Sequence, residues 1–509
     1  MRVPRGRRLP AVLLSVAVLG LATGCSEWGD PTGPMRGGAM TVSVPSLPAT
    51  WDPDSASDPT SAQLVRDVEA PLLQLSPTTQ RPEGGIAKSW KYDGTQTQLT
   101  VHLRPKAEFS NGAKVTASDV VFSAQQWLHG PRLGRFYSQL ISGVTAGDAH
   151  TVVFTLKKPS SDLLPALTLS SSAVVPKDFG GRTAQEFYTA PIGAGPFAIH
   201  QTTATAVDLR RNQHFYDTSH PYLASLDYEV VSDPATALQD LQRGHTQLAE
   251  DVPPAAQTGK HSSVRVVSKP SESTSVLTFS PRQPATQVAR LRRGVSLAID
   301  RAALVSSVYA GKAAVPHGLL PPKVPADQGC TGCDWARHDV AAARADLSGI
   351  PGHTRLTLLV DQTSPTDVRT AQALTPMLAQ AGITLYTDTV DPATLQRRLA
   401  SGDYQLALQT LSAQTPTAAD PLETLVRTSD LDSARSAAQA TQAFAAVSTA
   451  TDLQGQTSAV STFEHQDYDS ANAVPLVNPD VTDVLSSKVR GFVVQPSGLY
   501  HSSTIWLKN

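Results

Sequence analysis

Three groups of residues in this chain have the types and spacing to do chemistry. Cys330 and Cys333, in GCTGCDW, form a C-x-x-C pair. Such a pair serves as a redox motif, as half a zinc site or as a small structural disulfide. The only other cysteine is Cys25, and His338 is the only histidine close by in sequence. The expectation is a structural disulfide that pins a surface loop ahead of a helix at 338–347, with no metal. His214 and His220, in RNQHFYDTSHPYL, could ligate a metal but read as solvated loop histidines. Glu464, His465, Asp467 and Asp469 form a polar cluster that reads as an exposed helix end. Gly193 and Gly195, in PIGAGPF, are better explained by a tight entry into a strand than by phosphate binding. No GxSxG, HExxH, Walker A or strand-borne GxGxxG occurs. No catalytic residue and no cofactor is expected, and the protein does not read as an enzyme.

The elements that would position such groups can be read from periodicity. Residues 40–45 alternate like a strand, and 60–75 place Leu64, Val65, Val68 and Leu72 on one helical face. Leu99, Val101 and Leu103 alternate with polar residues, so that strand is covered on one face. Asn111-Gly112 then marks a turn. Thr116 and Asp119 have the spacing of a capping box ahead of an apolar helix. Strands follow at 151–156, 225–231 and 276–280, a helix at 234–241, and two helices at 287–310 split near Asp300. Residues 355–408 run β-α-β-α-β, which argues for a mostly parallel sheet with covering helices. Residues 431–461, rich in Ala, Ser, Thr and Gln, read as helices.

At 509 residues the chain exceeds one core and should hold two or three domains. Four of its 42 basic residues lie in residues 1–24, which hold no acid, leaving 38 against 44 acidic residues. A mildly acidic body without a basic stripe argues against nucleic-acid binding. The N-terminus itself is a secretory signal: Arg2, Arg5, Arg7 and Arg8, then the apolar run 11–22, then Cys25. It resembles a bacterial lipobox, with Ala22 where Leu is usual. That likeness implies cleavage before Cys25, lipidation of its thiol and a Gly/Pro-rich tether over 25–38. No later stretch is long and apolar enough to span a membrane.

The strand, turn and capped helix acquire a meaning when read together. GGIAKSWKYDGTQTQLTVHLRPKAEFSNGAKVTASDVVFS, 84–123, resembles the signature of the family 5 extracellular solute-binding proteins, the dipeptide, oligopeptide and nickel receptors of ABC importers. Further landmarks follow in the family's order: Thr50-Trp51-Asp52-Pro53, Val175-Pro176-Lys177, PIGAGPF, RNQHFYD, the run 289–313 and GDYQLAL at 402–408. The likeness covers nearly all of residues 38–509. It implies an α/β, two-lobe periplasmic-binding-protein-like fold of the Venus flytrap kind, cluster C or type II, with an extra inserted domain. Lobe I would be 39–75, 191–280 and 479–509, the inserted domain 76–190 and lobe II 281–478, with hinge crossings near 280 and 479.

The resemblance also implies an extracytoplasmic, membrane-anchored lipoprotein, a monomer that captures a peptide-like solute and hands it to permease and ATPase subunits. The alternatives are a sensor or regulatory lipoprotein on the same fold, or a receptor for a neutral sugar or glycolipid. Carried over position by position, the ligand-binding residues would be Trp51, Asp52, Phe279, Ser280, Leu411, Gln414 and Asp420. Two depart from the family pattern. Leu411 stands where peptide receptors have Trp, and Gln414 where an Asp pairs with the peptide's amino terminus. A buried ammonium without a carboxylate partner costs several kcal/mol, to order of magnitude. Either Asp420 replaces the lost acid or the ligand is neutral.

Overall fold

The computed structural model describes residues 33–508 except 161, 254–261, 325, 351–354, 416, 429–434 and 451. The signal segment 1–24, Cys25 and most of the tether lie outside the described residues. Among those described, no helix is long and apolar enough to cross a membrane.

One mixed sheet runs through two lobes. In the first, Ala39–Val44 pairs in parallel with Ser225–Val230 and Leu248–Ala249. The antiparallel strands Ala206–Arg211 and Phe197–Thr202 extend that edge. Met40, Val42, Leu64, Phe197, Leu226 and Leu485 fill the core beneath. In the second lobe, Arg355–Asp361 pairs in parallel with Thr384–Val390 and Leu406–Ser412. This is the β-α-β-α-β run read from the sequence. The sheet as a whole is not mostly parallel, however. Ser273–Phe279 lies antiparallel to Leu406–Ser412 and to Ala473–Ser486. Ser273–Phe279 runs against the parallel core, and Ala473–Ser486, antiparallel to it in turn, runs in the core's own sense.

The same two strands make the hinge. Ala473–Ser486 pairs with Ser273–Phe279 through residues 473–477, then with Val264–Pro270 through 480–486. The pairing therefore passes from one part of the sheet to the other at 270–273 and at 478–480. Inserted in sequence between Ala39–Val44 and Phe197–Thr202, both of the first lobe, is a separate antiparallel sheet, in the order Ala87–Tyr92, Gln98–Leu103, Thr151–Leu156, Ile141–Asp148. The helix Ala117–His129 covers it, and Leu99, Val101, Phe109, Val120, Trp127 and Phe154 form its core.

The helix expected over 60–75 stops at Val68. Pro71 disfavours helical backbone at Ala70, and the chain leaves for the inserted unit, where Leu72 and Leu73 join that core. Gly193 and Gly195 bring the chain back. A Cβ on Gly193 would stand 2.0 Å from the Val68 carbonyl oxygen, and one on Gly195 2.5 Å from that of Asp67. They permit backbone contact, as a tight strand entry requires. Of the polar cluster read as an exposed helix end, His465 and Asp469 are exposed, but Glu464 and Asp467 are not. Glu464 is 1% exposed and accepts the N–H groups of Leu319 and Leu320, while buried Asp467 accepts that of Ala473. The helix Leu453–Ser470 lies under a loop and a strand whose backbone needs these acceptors.

The capping box forms and does more than cap. Asp119 accepts the N–H and hydroxyl of Thr116, at 2.7 and 2.6 Å, on one oxygen. The other accepts Lys177 N–H at 2.7 Å. Asp119→Ala is expected to cost about 1–3 kcal/mol, seen as a lowered midpoint in thermal unfolding, whereas Asp119→Asn, which keeps one acceptor oxygen, is expected to lose less.

Candidate functional site between the lobes

The seam between the lobes is built from three loops. The first is 50–58 of lobe I. Asp52 accepts Asp54 N–H at 3.0 Å and the Ser55 hydroxyl at 3.3 Å, so it makes the turn that starts the short helix Pro53–Ser55. Burial raises its carboxyl pKa, and the Asp54 N–H bond opposes that rise. Asp54 turns outward to the inserted unit. Its carboxylate accepts the N–H groups of Arg132 at 2.8 Å and Leu133 at 3.0 Å, and its carbonyl accepts Arg132 Nε at 2.6 Å.

Arg132 then reaches lobe II. Its Nη1 donates to Gln414 Oε1, while Gln414 Nε2 donates to the Ser57 carbonyl at 3.2 Å. One neutral side chain thus closes lobe II onto both other units. The Gln414 turn is held from behind: Asp420 Oδ2 accepts the N–H of Gln414 at 2.5 Å and of Thr415 at 2.7 Å. Burial raises the Asp420 pKa, and those two backbone bonds lower it. Outer contacts run the same way. Arg135 lies 3.8 Å from Glu423, and Lys158 Nζ donates to the Thr449 carbonyl at 3.4 Å.

At the hinge end sits Glu272, in the turn between Val264–Pro270 and Ser273–Phe279. Its N–H donates to the Pro496 carbonyl of lobe I at 3.0 Å, and its carbonyl accepts Ala413 N–H of lobe II at 3.2 Å. Its backbone is therefore tied to both lobes. Burial pushes its carboxyl up to about 7, and among the described residues no cation faces it.

Of the residues singled out from sequence, Asp52, Gln414 and Asp420 meet at this seam. The rest are placed otherwise. Trp51 is in the lobe I core, Phe279 in the main lobe II core, and Leu411 in a neighbouring lobe II cluster with Val276, Leu319 and Leu422. Ser280 is fully buried, and its hydroxyl donates to the Gly402 carbonyl at 2.7 Å. Phe279, Ser280 and Leu411 are thus buried within lobe II, and Trp51 is buried beside a cavity in lobe I. His214 faces Glu108 and His220 faces Asp217, each at 2.8 Å. Sequence reasoning missed Arg132, Asp54 and Glu272. Only Glu272 carried a signal, an acid standing between two runs of strand residues.

A cavity of about 410 Å³ opens beside Trp51, between the loop 45–51 and the turn at 202–204. Its lining, including Pro45, Leu47, Thr202 and Val230, comes from lobe I alone.

Comparison with known proteins agrees with this architecture. The family profile described as bacterial extracellular solute-binding proteins, family 5 Middle, matches residues 81–433. The chain is 26% identical over 355 residues to the probable D,D-dipeptide-binding periplasmic protein DdpA of Escherichia coli, covering 67% of this chain and 66% of that one. It is 26% identical over 347 residues to the probable di/tripeptide-binding protein 5 of Pseudomonas aeruginosa, covering 62% and 64%. The match thus spans slightly under two thirds of these relatives' lengths. Among solved structures, NikA of Brucella suis with Fe(III)-EDTA superposes with a TM-score of 0.81 at 19% identity, covering 92% of this chain and 100% of that one. A Pseudoalteromonas dipeptide-binding protein holding Met-Leu gives 0.80 at 15% identity, with the same coverage. These neighbours are two-lobe periplasmic binding proteins of the cluster C type, and this chain shares their fold. The chain belongs to the family 5 bacterial extracellular solute-binding proteins.

Proposed function

We propose that the protein is the solute-capturing component of an ABC importer, taking a peptide-like ligand into the seam between its lobes and presenting it to a permease. The observation that carries this reading is the hinge. The chain passes between lobes twice, in the turn after Pro270 and within Ala473–Ser486, and the far side of the seam closes through Arg132, Gln414 and Ser57. Such closure is driven by contacts that exist only in the closed form. Relatives whose names refer to dipeptides and tripeptides support a peptide-like ligand.

The seam also suggests how an amino terminus is received although Gln414 replaces the family's acid. Asp420 spends one oxygen on two backbone N–H groups. Among the described residues Glu272 faces no cation, and a ligand ammonium beside it would offset the cost of burying its charge. Glu272 is thus the carboxylate this reading assigns to the ligand's positive end. Lipid anchoring through Cys25, with the body outside the membrane, completes the proposal.

The test is native mass spectrometry of the full chain, purified from its own host without refolding. A bound mass that fragments as peptide, with affinity reduced in Glu272→Gln, is the expected result. A bound sugar or lipid would overturn the peptide reading. No bound mass, with no thermal shift across peptide and sugar libraries, would overturn transport in favour of a regulatory role.

A further inference from the structure

Cys330 and Cys333 meet a third group that their sequence neighbourhood does not contain. His465, from the helix Leu453–Ser470, places Nδ1 3.8 Å from Cys330 Sγ and 3.7 Å from Cys333 Sγ. The three candidate ligand atoms all lie within 4.8 Å of one another. We propose that Cys330, Cys333 and His465 form a zinc-class metal site, filled when the two cysteines are reduced, with its fourth position open to solvent.

The spans fit. Tetrahedral zinc with Zn–S of about 2.3 Å and Zn–N of about 2.0–2.1 Å sets sulfur and nitrogen roughly 3.6 Å apart. Both sulfur-to-Nδ1 distances stand close to that value. The turn fits as well. Cys333 N–H donates to the Cys330 carbonyl at 3.1 Å, and Gly332 takes φ +89° between them. A Cβ at Gly332 would stand 3.9 Å from His465 Cε1, so the turn lies directly against the imidazole. Two thiolates and one imidazole are a donor set that suits zinc.

The scaffold holds this geometry without the sulfurs. Glu464, one residue before His465, accepts Leu319 and Leu320 N–H at 2.7 and 3.2 Å. Three residues after His465, Tyr468 meets the buried Trp335 edge to face, with ring centroids 4.8 Å apart. Cys330 N–H is tied to the His317 carbonyl at 2.8 Å. The loop is therefore anchored to the helix on both sides of the three ligands. Cys330 is buried, Cys333 partly so and His465 exposed, which leaves the side beyond the imidazole to water.

In this structure the sulfurs are joined. Filling the site needs a reductant, and a dithiol or a phosphine serves. The S–S bond breaks on taking up two electrons and two protons; a dithiol leaves as its own disulfide, and a phosphine, with one water supplying the oxygen and the protons, leaves as its oxide. The metal ion then displaces both thiol protons and binds the neutral Nδ1 lone pair. The two states differ in what they join. The disulfide closes a loop three residues apart and constrains little. The metal would link residues separated by 132 and 135 positions, which stabilises the loop against the helix.

The experiment reduces the full chain with a phosphine, removes the reductant under anaerobic conditions and titrates it with Co²⁺ and Zn²⁺. One equivalent of cobalt should bind with thiolate charge-transfer absorption, zinc should displace it, and zinc should raise the unfolding temperature of the reduced protein. The oxidised protein should show none of these. His465→Ala should weaken zinc at least tenfold while leaving the unfolding temperature of the oxidised form unchanged, and Cys330→Ser should abolish the absorption. Absence of stoichiometric binding to the reduced protein would overturn the proposal, as would binding that His465→Ala leaves intact.

Discussion

Replacing Arg132 with Ala should weaken binding of the host-derived ligand roughly ten- to hundredfold and open the unliganded protein. Arg132 is where three units meet. Its backbone and Nε hold Asp54 of lobe I, and its Nη1 holds Gln414 of lobe II. A hydrogen bond to a charged group contributes about 1.5–3 kcal/mol, and 1.4 kcal/mol is a factor of ten. The contact to lobe II exists only when the lobes are closed, so its loss falls on the closed form alone. Small-angle scattering of the free protein should show a larger radius of gyration, and calorimetry should show the affinity loss. Arg132→Lys keeps the charge but loses the fork that serves Asp54 and Gln414 together, so it should resemble Ala more than the parent. Gln414→Ala separates closure from folding, because it leaves the Asp54 bonds in place. The two changes should be strongly non-additive in a double-mutant cycle. Additive effects, or unchanged scattering and affinity in Arg132→Ala, would refute the closure role.

What the sequence made legible follows physical range. Local signals were readable because their causes lie within a few residues. Thr116 and Asp119 cap one helix, Asp300 splits two, and the alternation of Leu99, Val101 and Leu103 marks a covered strand. The helix end at Val68 was missed because its cause is tertiary as well as local: Pro71 ends it, and Leu72 is claimed by another core. The candidate site was legible only by resemblance, and unevenly. Gln414 and Asp420 lie at the seam, whereas Leu411, three residues before Gln414, points into a lobe II core. A strand sends alternate side chains to opposite faces, so neighbours in a motif need not share a task. Arg132 and Glu272 could not be ranked from sequence, since their importance lies in contacts 282 and more than 140 positions away. His465 joined Cys330 and Cys333 for the same reason, across 135 and 132 positions.

Thermal stability should fall as pH rises from about 5 to about 8, the reverse of a protein held together by ionised acids. Burial pushes the carboxyls of Glu250, Glu272, Glu464 and Asp467 up to about 7, and those of Asp67 and Asp367 up to about 6. Unfolded acids titrate near 4. Between the two values the folded protein binds more protons than the unfolded one, so unfolding releases protons and stability declines with rising pH. Below about 4 these groups are protonated in both states and contribute no slope. Above about 7 they are ionised in both, and the folded state carries the whole cost of burying the charge. His501 works the other way, since burial pushes its imidazole down to about 4 and penalises folding as pH falls below 6.5. One histidine opposes six acids, so the acids set the sign. Calorimetry at several pH values should place the maximum near pH 5, several degrees above the midpoint at pH 8. Glu464→Gln sharpens the test. Gln keeps an oxygen for the Leu319 and Leu320 N–H groups and cannot ionise. It should raise stability at pH 8, change it little at pH 5 and flatten the profile between. A parent profile that rises from pH 5 to pH 8, or a Glu464→Gln variant destabilised equally at both, would show that these buried acids are ionised and stabilising in the folded protein.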